Sequence, residues 1–146
     1  MKKSLVVAID FSPVSNQVLK TARSLAEALG AKIVLVHANP PTFVTGEQIV
    51  DPAVIVQASQ EAEKSANKRL AKEEKSLLAR GIETEARMLT ERAPDSVLRV
   101  AEETNADFII MGSHGHTALY DLLVGSTTTA VLRKASCPVI VVPAER

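Results

Sequence analysis

The stretch FIIMGSHG, residues 108–115, begins with a short apolar run and ends with two glycines three positions apart. Ten positions after the second of these glycines the chain reads GSTTT, residues 125–129, in which a glycine precedes four hydroxyl side chains. A short continuous apolar run is typical of a strand buried on both faces, and hydroxyl residues are favoured where a helix begins. The pattern therefore predicts a strand, a connection that contains glycine, and a short helix over about residues 126–135.

Apolar runs of the same kind recur at residues 5–9, 33–36 and 139–142, and helical apolar stripes separate them. Residues 82–89 alternate between apolar and polar side chains, which favours an edge strand. Strands separated by helices imply right-handed crossovers and a parallel sheet. We therefore predict an α/β fold in a single domain over residues 1–146, with three layers and helices on both faces of an open parallel sheet.

Two predicted helices have informative starts. Ser12 and Pro13 have the pattern of an N-cap followed by proline at the first helical position, and Gly30 provides the left-handed stop. Asp51-Pro52 begins a longer helix that can run to about Arg80. The inner stripe of that helix is predicted to consist of Ile55, Ala58, Ala62, Ala66, Leu70 and Leu77.

Composition excludes several classes of function. Lys and Arg total 17 and Asp and Glu total 17, so no net charge attracts nucleic acid or an anionic membrane. The apolar run near the N-terminus is too short for a signal peptide or a membrane span. Cys137 is the single cysteine, so the chain cannot form an internal disulfide. We expect a cytoplasmic protein that engages neither nucleic acid nor membranes.

The glycines and hydroxyl residues predict a phosphate-binding site. Ligands of an open parallel sheet bind beyond the carboxyl ends of its strands, where Gly112 and Gly115 lie. Glycine allows close approach of the backbone and a positive φ, and the helix after Gly125 offers unpaired N–H groups to an anion. Further donors at that terminus are the hydroxyls of Ser126, Thr127 and Thr128. Turn glycines and a simple N-cap are the alternative, but the two glycine pairs together favour a phosphate cradle.

The same residues resemble a known family signature. The segment from Gly112 to Ser126 resembles the Gly-x2-Gly-x9-Gly-Ser/Thr signature of ATP-binding universal stress proteins. The resemblance extends to VVAID, residues 6–10, and to SCPVIVV, residues 136–142. It implies a Rossmann-like sheet of five parallel strands in the order 3-2-1-4-5, with a nucleotide between strands 1 and 4.

The resemblance also implies roles for matching positions. Asp10 would face the base and ribose, and Met111 and Gly112 would approach the ribose. The adenine would lie against backbone groups of Val36, His37 and Ala38. The phosphates would be held by Gly115, Gly125, Ser126 and Thr127. Phe11 stands where the family usually has a small residue, which makes the role of Asp10 less secure than those of the glycines.

The expected cofactor is ATP, with ADP and AMP as alternatives, and Mg²⁺ is compatible with the site. The chain contains no Gly-x4-Gly-Lys-Ser/Thr motif, and the first strand ends without the glycines of a dinucleotide fingerprint. Amides and hydroxyls alone can bind ATP without preferring a transition state, so we expect little or no catalysis. His114 and His116 could contact phosphates or act as acid and base, or they are simply exposed loop residues.

The expected function is a nucleotide-dependent regulatory role in stress responses. A slow ATP hydrolase and an adaptor that binds no nucleotide are the alternatives. The last strand, Val139–Val142, is apolar and is predicted at the sheet edge, where it invites pairing with another chain. The family resemblance implies a homodimer through this strand.

Overall fold

The computed structural model describes residues 1–41, 51–114 and 124–144. Strands and helices alternate along these ranges, as the sequence predicts. The elements are β1 (Ser4–Ala8), α1 (Ser15–Leu29), β2 (Lys32–Ala38), α2 (Pro52–Ala79), β3 (Thr84–Leu89), α3 (Ala93–Glu103), β4 (Phe108–Gly112), α4 (Ser126–Lys134) and β5 (Val139–Val142).

The five strands form one parallel sheet in the order β3-β2-β1-β4-β5, which confirms the predicted fold class and strand order. β1 lies at the centre, where Val6 is opposite Val34 of β2 and Ile109 of β4. The chain first builds the sheet from β1 towards β3 and then crosses back to β4. The direction therefore reverses between β1 and β4, which is where open α/β sheets form their ligand clefts.

Two apolar cores cover the two faces of the sheet. Alternate residues of a strand point to opposite faces, so Leu5 and Val7 pack under α1 and α2, while Val6 packs under α3 and α4. Val18 of α1 and Val131 of α4 are almost completely buried, one on each face. The three-layer arrangement follows directly from this alternation.

The start of α1 differs from the prediction. The helix begins at Ser15, and the buried hydroxyl of Ser12 has no hydrogen-bond partner within the described ranges, so Ser12 is not the N-cap and Pro13 precedes the helix. Phe11 has a φ of 60°, and the Ser15 N–H donates to the Ser12 carbonyl at 2.9 Å. A turn therefore separates β1 from α1. The predicted left-handed stop at Gly30, with a φ of 61°, is confirmed.

The prediction of the apolar stripe of α2 is correct for only half of its residues. Asp51 caps the helix by accepting the Ala53 N–H, and the later stripe residues Ala66, Leu70 and Leu77 are buried. Ala58 and Ala62 are exposed, contrary to the prediction. A helix of 28 residues is about 42 Å long, whereas a strand of seven residues spans about 23 Å, so the first half of α2 extends past the sheet.

Candidate functional site

A cleft of about 300 Å³ opens at the carboxyl ends of β1 and β4, where the strand order reverses. The first residues of α1, α3 and α4 close its sides, because the connections that follow β1, β3 and β4 lead into these helices at that edge. The predicted site residues that line it are Asp10, Val36, Ala38, Met111, Gly112, His114, Gly125, Ser126, Thr127 and Thr128. The structure thus brings the ends of β1, β2 and β4 and the start of α4 together around one cavity.

His37 is a predicted site residue that does not line the cleft. Its Nδ1 lies 3.0 Å from the carbonyl oxygen of Ile9 and must donate to it, and its ring centroid is 4.7 Å from that of Phe11. Because side chains alternate along β2, His37 faces α1 and α2 while Val36 and Ala38 face the cleft. The positions of Gly115 and His116 lie outside the described residues.

Sequence reasoning missed part of the cleft wall. Val14 before α1, Ser15 and Val18 of α1, and Ala93 and Val97 of α3 also line the cavity. Their signal was available, since helices that follow strands at this edge commonly begin beside the ligand region. These residues add apolar surface to the cleft from both faces of the sheet.

The carboxylate of Asp10 is held in place by the turn that precedes α1. Its Oδ1 accepts the Ser12 N–H at 2.9 Å and the Ser15 hydroxyl at 3.1 Å. Phe11, between Asp10 and Ser12, has a positive φ, a conformation that costs an L-residue about 1–2 kcal/mol. The fold thus sustains local strain next to the one acidic side chain that lines the described cleft.

The N-terminus of α4 opens on the opposite side of the cavity. Gly125 is its extended N-cap, with φ −71° and ψ 168°, and donates its N–H to the Ser113 carbonyl at 2.6 Å. Within the described chain, no partner is recorded for the N–H groups of Ser126, Thr127 and Thr128, as expected for the first residues of a helix. These amides and the helix dipole make this corner suitable for an anion.

Thr128 does not offer a free hydroxyl, contrary to the prediction. Its hydroxyl donates to the Gly112 carbonyl at 2.8 Å, and the residue is 3% exposed. The side chain therefore joins the start of α4 to the end of β4. Only the backbone N–H of Thr128 is available to a ligand.

The two described glycines of the motif do not use a positive φ, so that part of the prediction is wrong. A Cβ on Gly112 would lie 2.6 Å from Cγ1 of Val14, which means that α1 packs directly on the end of β4. A Cβ on Gly125 would lie 3.4 Å from the Ser113 carbonyl oxygen, an ordinary contact. Glycine at position 112 is therefore required by packing, and glycine at position 125 is not.

The cavity combines an apolar wall, a fixed carboxylate and a helix N-terminus. This set can bind a molecule with a flat apolar part, a hydrogen-bonding middle and an anionic end. Among the residues that the structure describes, no three His, Cys, Asp or Glu side chains are grouped closely enough to hold a metal ion. Nor does any described helix have the length and apolar character needed to cross a membrane.

The chain belongs to the universal stress protein family, whose family model matches residues 1–143. Universal stress protein A homolog 1 of Coxiella burnetii is 32% identical over 145 residues, which cover 96% of this chain and 95% of the relative. This finding confirms the family to which the motif points.

Solved structures share the fold. The structure of protein MJ0577, from Methanocaldococcus jannaschii, superposes with a TM-score of 0.82 at 24% identity and covers 100% of this chain and 99% of its own. A universal stress protein from Archaeoglobus fulgidus in complex with dAMP has a TM-score of 0.64 at 23% identity, covering 97% and 98%. A universal stress protein in complex with cAMP has a TM-score of 0.66 at 22% identity, covering 99% and 98%.

Proposed function

We propose that this protein binds ATP in the cleft between β1 and β4 and acts as a nucleotide-dependent regulator in stress responses, with little or no catalysis. The observation that carries the proposal is the start of α4, where three consecutive residues whose N–H groups have no partner in the described chain line a cavity of about 300 Å³. A helix N-terminus with unpaired amides is a common binding site for phosphate oxygens.

The rest of the cleft suits a nucleoside. Val36, Val97 and Met111 provide apolar surface for a planar base, and Asp10 is held ready to accept hydrogen bonds from ribose hydroxyls. The complexes of two family members with dAMP and cAMP support an adenine nucleotide as the ligand class. ATP, with Mg²⁺ on its phosphates, would use the full length of the cleft from Asp10 to α4.

The described cleft favours binding over phosphoryl transfer. No lysine or arginine is among the described residues that line it. Backbone amides stabilise phosphate in the ground state as well as in the transition state, and such uniform binding does not accelerate a reaction. Bound ATP would then act by shifting an equilibrium between two states of the protein or of its assembly, because it binds one state more tightly than the other.

The second part of the proposal is a homodimer through β5. This strand pairs only with β4 within the described chain, and Val139, Ile140 and Val141 remain partly exposed. An unpaired apolar edge strand is a template for another strand. Sedimentation equilibrium would give twice the chain mass, and a monomer mass at every accessible concentration would contradict the dimer without affecting the proposed nucleotide site.

The nucleotide proposal is tested by removing one amide without disturbing the helix. Proline is accepted at the first helical position, and Gly125, which precedes it, already has the extended conformation that a following proline requires. Ser126→Pro removes the N–H and the hydroxyl, whereas Ser126→Ala removes the hydroxyl alone. We expect Ser126→Pro to weaken ATP binding about tenfold or more, since a hydrogen bond to a charged group contributes about 1.5–3 kcal/mol.

Calorimetric titration of both variants and the wild type, with and without Mg²⁺, gives the affinities. The two variants are expected to unfold at similar urea concentrations. The proposal is wrong if the wild type shows no heat with ATP, ADP or AMP. Equal losses in Ser126→Ala and Ser126→Pro would contradict the role of the backbone amide.

A further inference from the structure

A second cavity, of about 360 Å³, lies between the turn that follows β1 and the middle of α2. Phe11 and Ser12 of the turn line one side, and Arg69, Lys72 and Glu73 of α2 line the other. Among the residues that the structure describes, Ser15 is the one that borders both this cavity and the cleft described above. The function proposed for the cleft makes no use of this second cavity.

The guanidinium group of Arg69 is fixed over an aromatic ring. Its Cζ lies 4.3 Å from the centroid of the Phe11 ring, a cation–π contact that orients the group and leaves its charge in place. His37 also packs against this ring, at 4.7 Å between centroids. The positive φ of Phe11 brings the ring to this position, so the strained turn serves the second cavity as well as Asp10.

Lys72 adds a second cation on the same face of α2, three residues after Arg69. Glu73 also lines the cavity, yet no ion pair joins it to either cation in the part of the chain that the structure describes. Two cations and one carboxylate leave an excess of one positive charge at the cavity.

The turn on the other side of the cavity buries a polar group. The Ser12 side chain is 3% exposed and its hydroxyl has no hydrogen-bond partner in the described residues, which costs about 1–3 kcal/mol. Because this hydroxyl is enclosed, the cationic donors that a ligand in the cavity would meet are Arg69 and Lys72.

We propose that the second cavity binds a small oxyanion, a phosphate or carboxylate group, through Arg69 and Lys72. Arginine and lysine both donate charge-assisted hydrogen bonds to such oxygens.

Residue-resolved NMR distinguishes the two sites. Inorganic phosphate and, separately, acetate are titrated into the ¹⁵N-labelled protein at constant ionic strength, set with chloride. Amide signals of Phe11, Ser12 and Lys72 report on the second cavity, and those of Ser126 and Thr127 report on the cleft. We expect saturable shifts of the first group with phosphate, acetate or both, and the comparison identifies the preferred oxyanion.

The matched variants are Arg69→Met, Lys72→Met and, as the control, Lys68→Met, which removes an exposed charge of α2 that does not line the cavity. Methionine keeps the apolar stem of each side chain, so folding should be preserved. We expect Arg69→Met and Lys72→Met each to lower the affinity for the oxyanion about tenfold. The control should leave that affinity within about twofold of the wild type.

Absence of saturable shifts at Phe11, Ser12 and Lys72 with both anions would overturn this inference, and so would equal weakening by Lys68→Met. Shifts confined to Ser126 and Thr127 would leave the proposed nucleotide site intact. Shifts confined to Phe11, Ser12 and Lys72 would support the second cavity without supporting the cleft. The two proposals therefore fail separately.

Discussion

The hydroxyl of Thr128 donates a 2.8 Å hydrogen bond to the carbonyl oxygen of Gly112, and this bond joins the first turn of α4 to the last residue of β4. Beside it, the Gly125 N–H donates to the Ser113 carbonyl at 2.6 Å. The two bonds fix the helix N-terminus relative to the central part of the sheet. The position of the candidate phosphate site therefore depends on a side chain whose own hydroxyl is not free for the phosphate.

Replacing Thr128 by valine tests this connection. Valine keeps the shape of the side chain but leaves the Gly112 carbonyl without its donor, so we expect a loss of about 1–2 kcal/mol in the free energy of unfolding. Urea denaturation provides the measurement. Thr129→Val is the control, because the Thr129 hydroxyl donates to Gly125, four residues earlier, and links nothing outside the start of α4. Equal losses in the two variants would contradict the proposed connection.

Glycine at position 112 is required by the packing of α1. In Gly112→Ala the new methyl group would lie 2.6 Å from Cγ1 of Val14, a short and stiff side chain, and we expect a destabilisation of about 1–3 kcal/mol. Gly125→Ala meets only an ordinary contact at 3.4 Å, so its loss of stability should be smaller and should come from the helix N-cap, where alanine is less favourable than glycine.

A double-mutant cycle of Gly112→Ala with Val14→Ala identifies the cause. Removing the Val14 methyl groups should offset part of the cost of the new methyl group, which gives a favourable coupling energy. Additive effects would show that Gly112 is needed for another reason. Loss of ATP binding in Gly125→Ala without loss of stability would indicate that glycine there makes room for the ligand.

Ser15 is expected to act on nucleotide binding through Asp10. Ser15→Ala removes the 3.1 Å hydrogen bond to Asp10 Oδ1, so the carboxylate loses one of the contacts that orient it. We expect ATP affinity to fall about three- to tenfold and stability by about 1 kcal/mol. Ser96→Ala is the control, because that buried serine bonds to the Glu91 carbonyl and does not line the cleft. A fall in affinity in both variants would rule out a specific role for Ser15.

The thiol of Cys137 should be less acidic in the folded protein than in the unfolded chain. Burial raises its pKa above the ordinary 9.0, and the negative charge of Asp107 raises it further, while a hydrogen bond with the Ile109 backbone acts in the opposite direction. The thiolate is the form that alkylates. The inflection in the rate of iodoacetamide alkylation should therefore lie at a higher pH for the native protein than in urea.

The sign of the linked stability change follows from the same shift. Above the pKa of the unfolded chain, the native protein retains a proton that the unfolded chain has released, so the free energy of unfolding decreases as pH rises. In Cys137→Ser, the free energy of unfolding should therefore decrease less over the same rise in pH. A native inflection at or below that of the unfolded chain would contradict the prediction, and the single cysteine makes the assignment direct.

The parallel sheet could be predicted from the alternation of apolar runs and helical stripes, whereas the strand order and the place of the cleft came from the family resemblance. Buried apolar runs such as Phe108–Gly112 and the resemblance from Gly112 to Ser126 were enough. The start of α1 could not be predicted from the cap pattern at Ser12. In the structure this segment forms a turn instead, which depends on the Asp10 carboxylate and the positive φ of Phe11. Local sequence propensity does not show which of these two arrangements forms.

Some details of the site depend on tertiary structure. The alternation of β2 turns the His37 side chain away from the cleft, which concerns its side chain and not the backbone contact that the resemblance implies. The packing of Val14 against Gly112 joins residues far apart in sequence, and a glycine needed for packing looks the same in sequence as a glycine needed for a ligand. The bond between Thr128 and Gly112 is likewise invisible without the fold.

The pair of bonds that ties residues 112 and 113 to residues 125 and 128 makes the end of β4 and the start of α4 a single unit. A substitution that moves the end of β4 would therefore move the amides at the start of α4 with it. Selection on this corner thus acts on the packing of the central strands as well as on the residues that line the cleft.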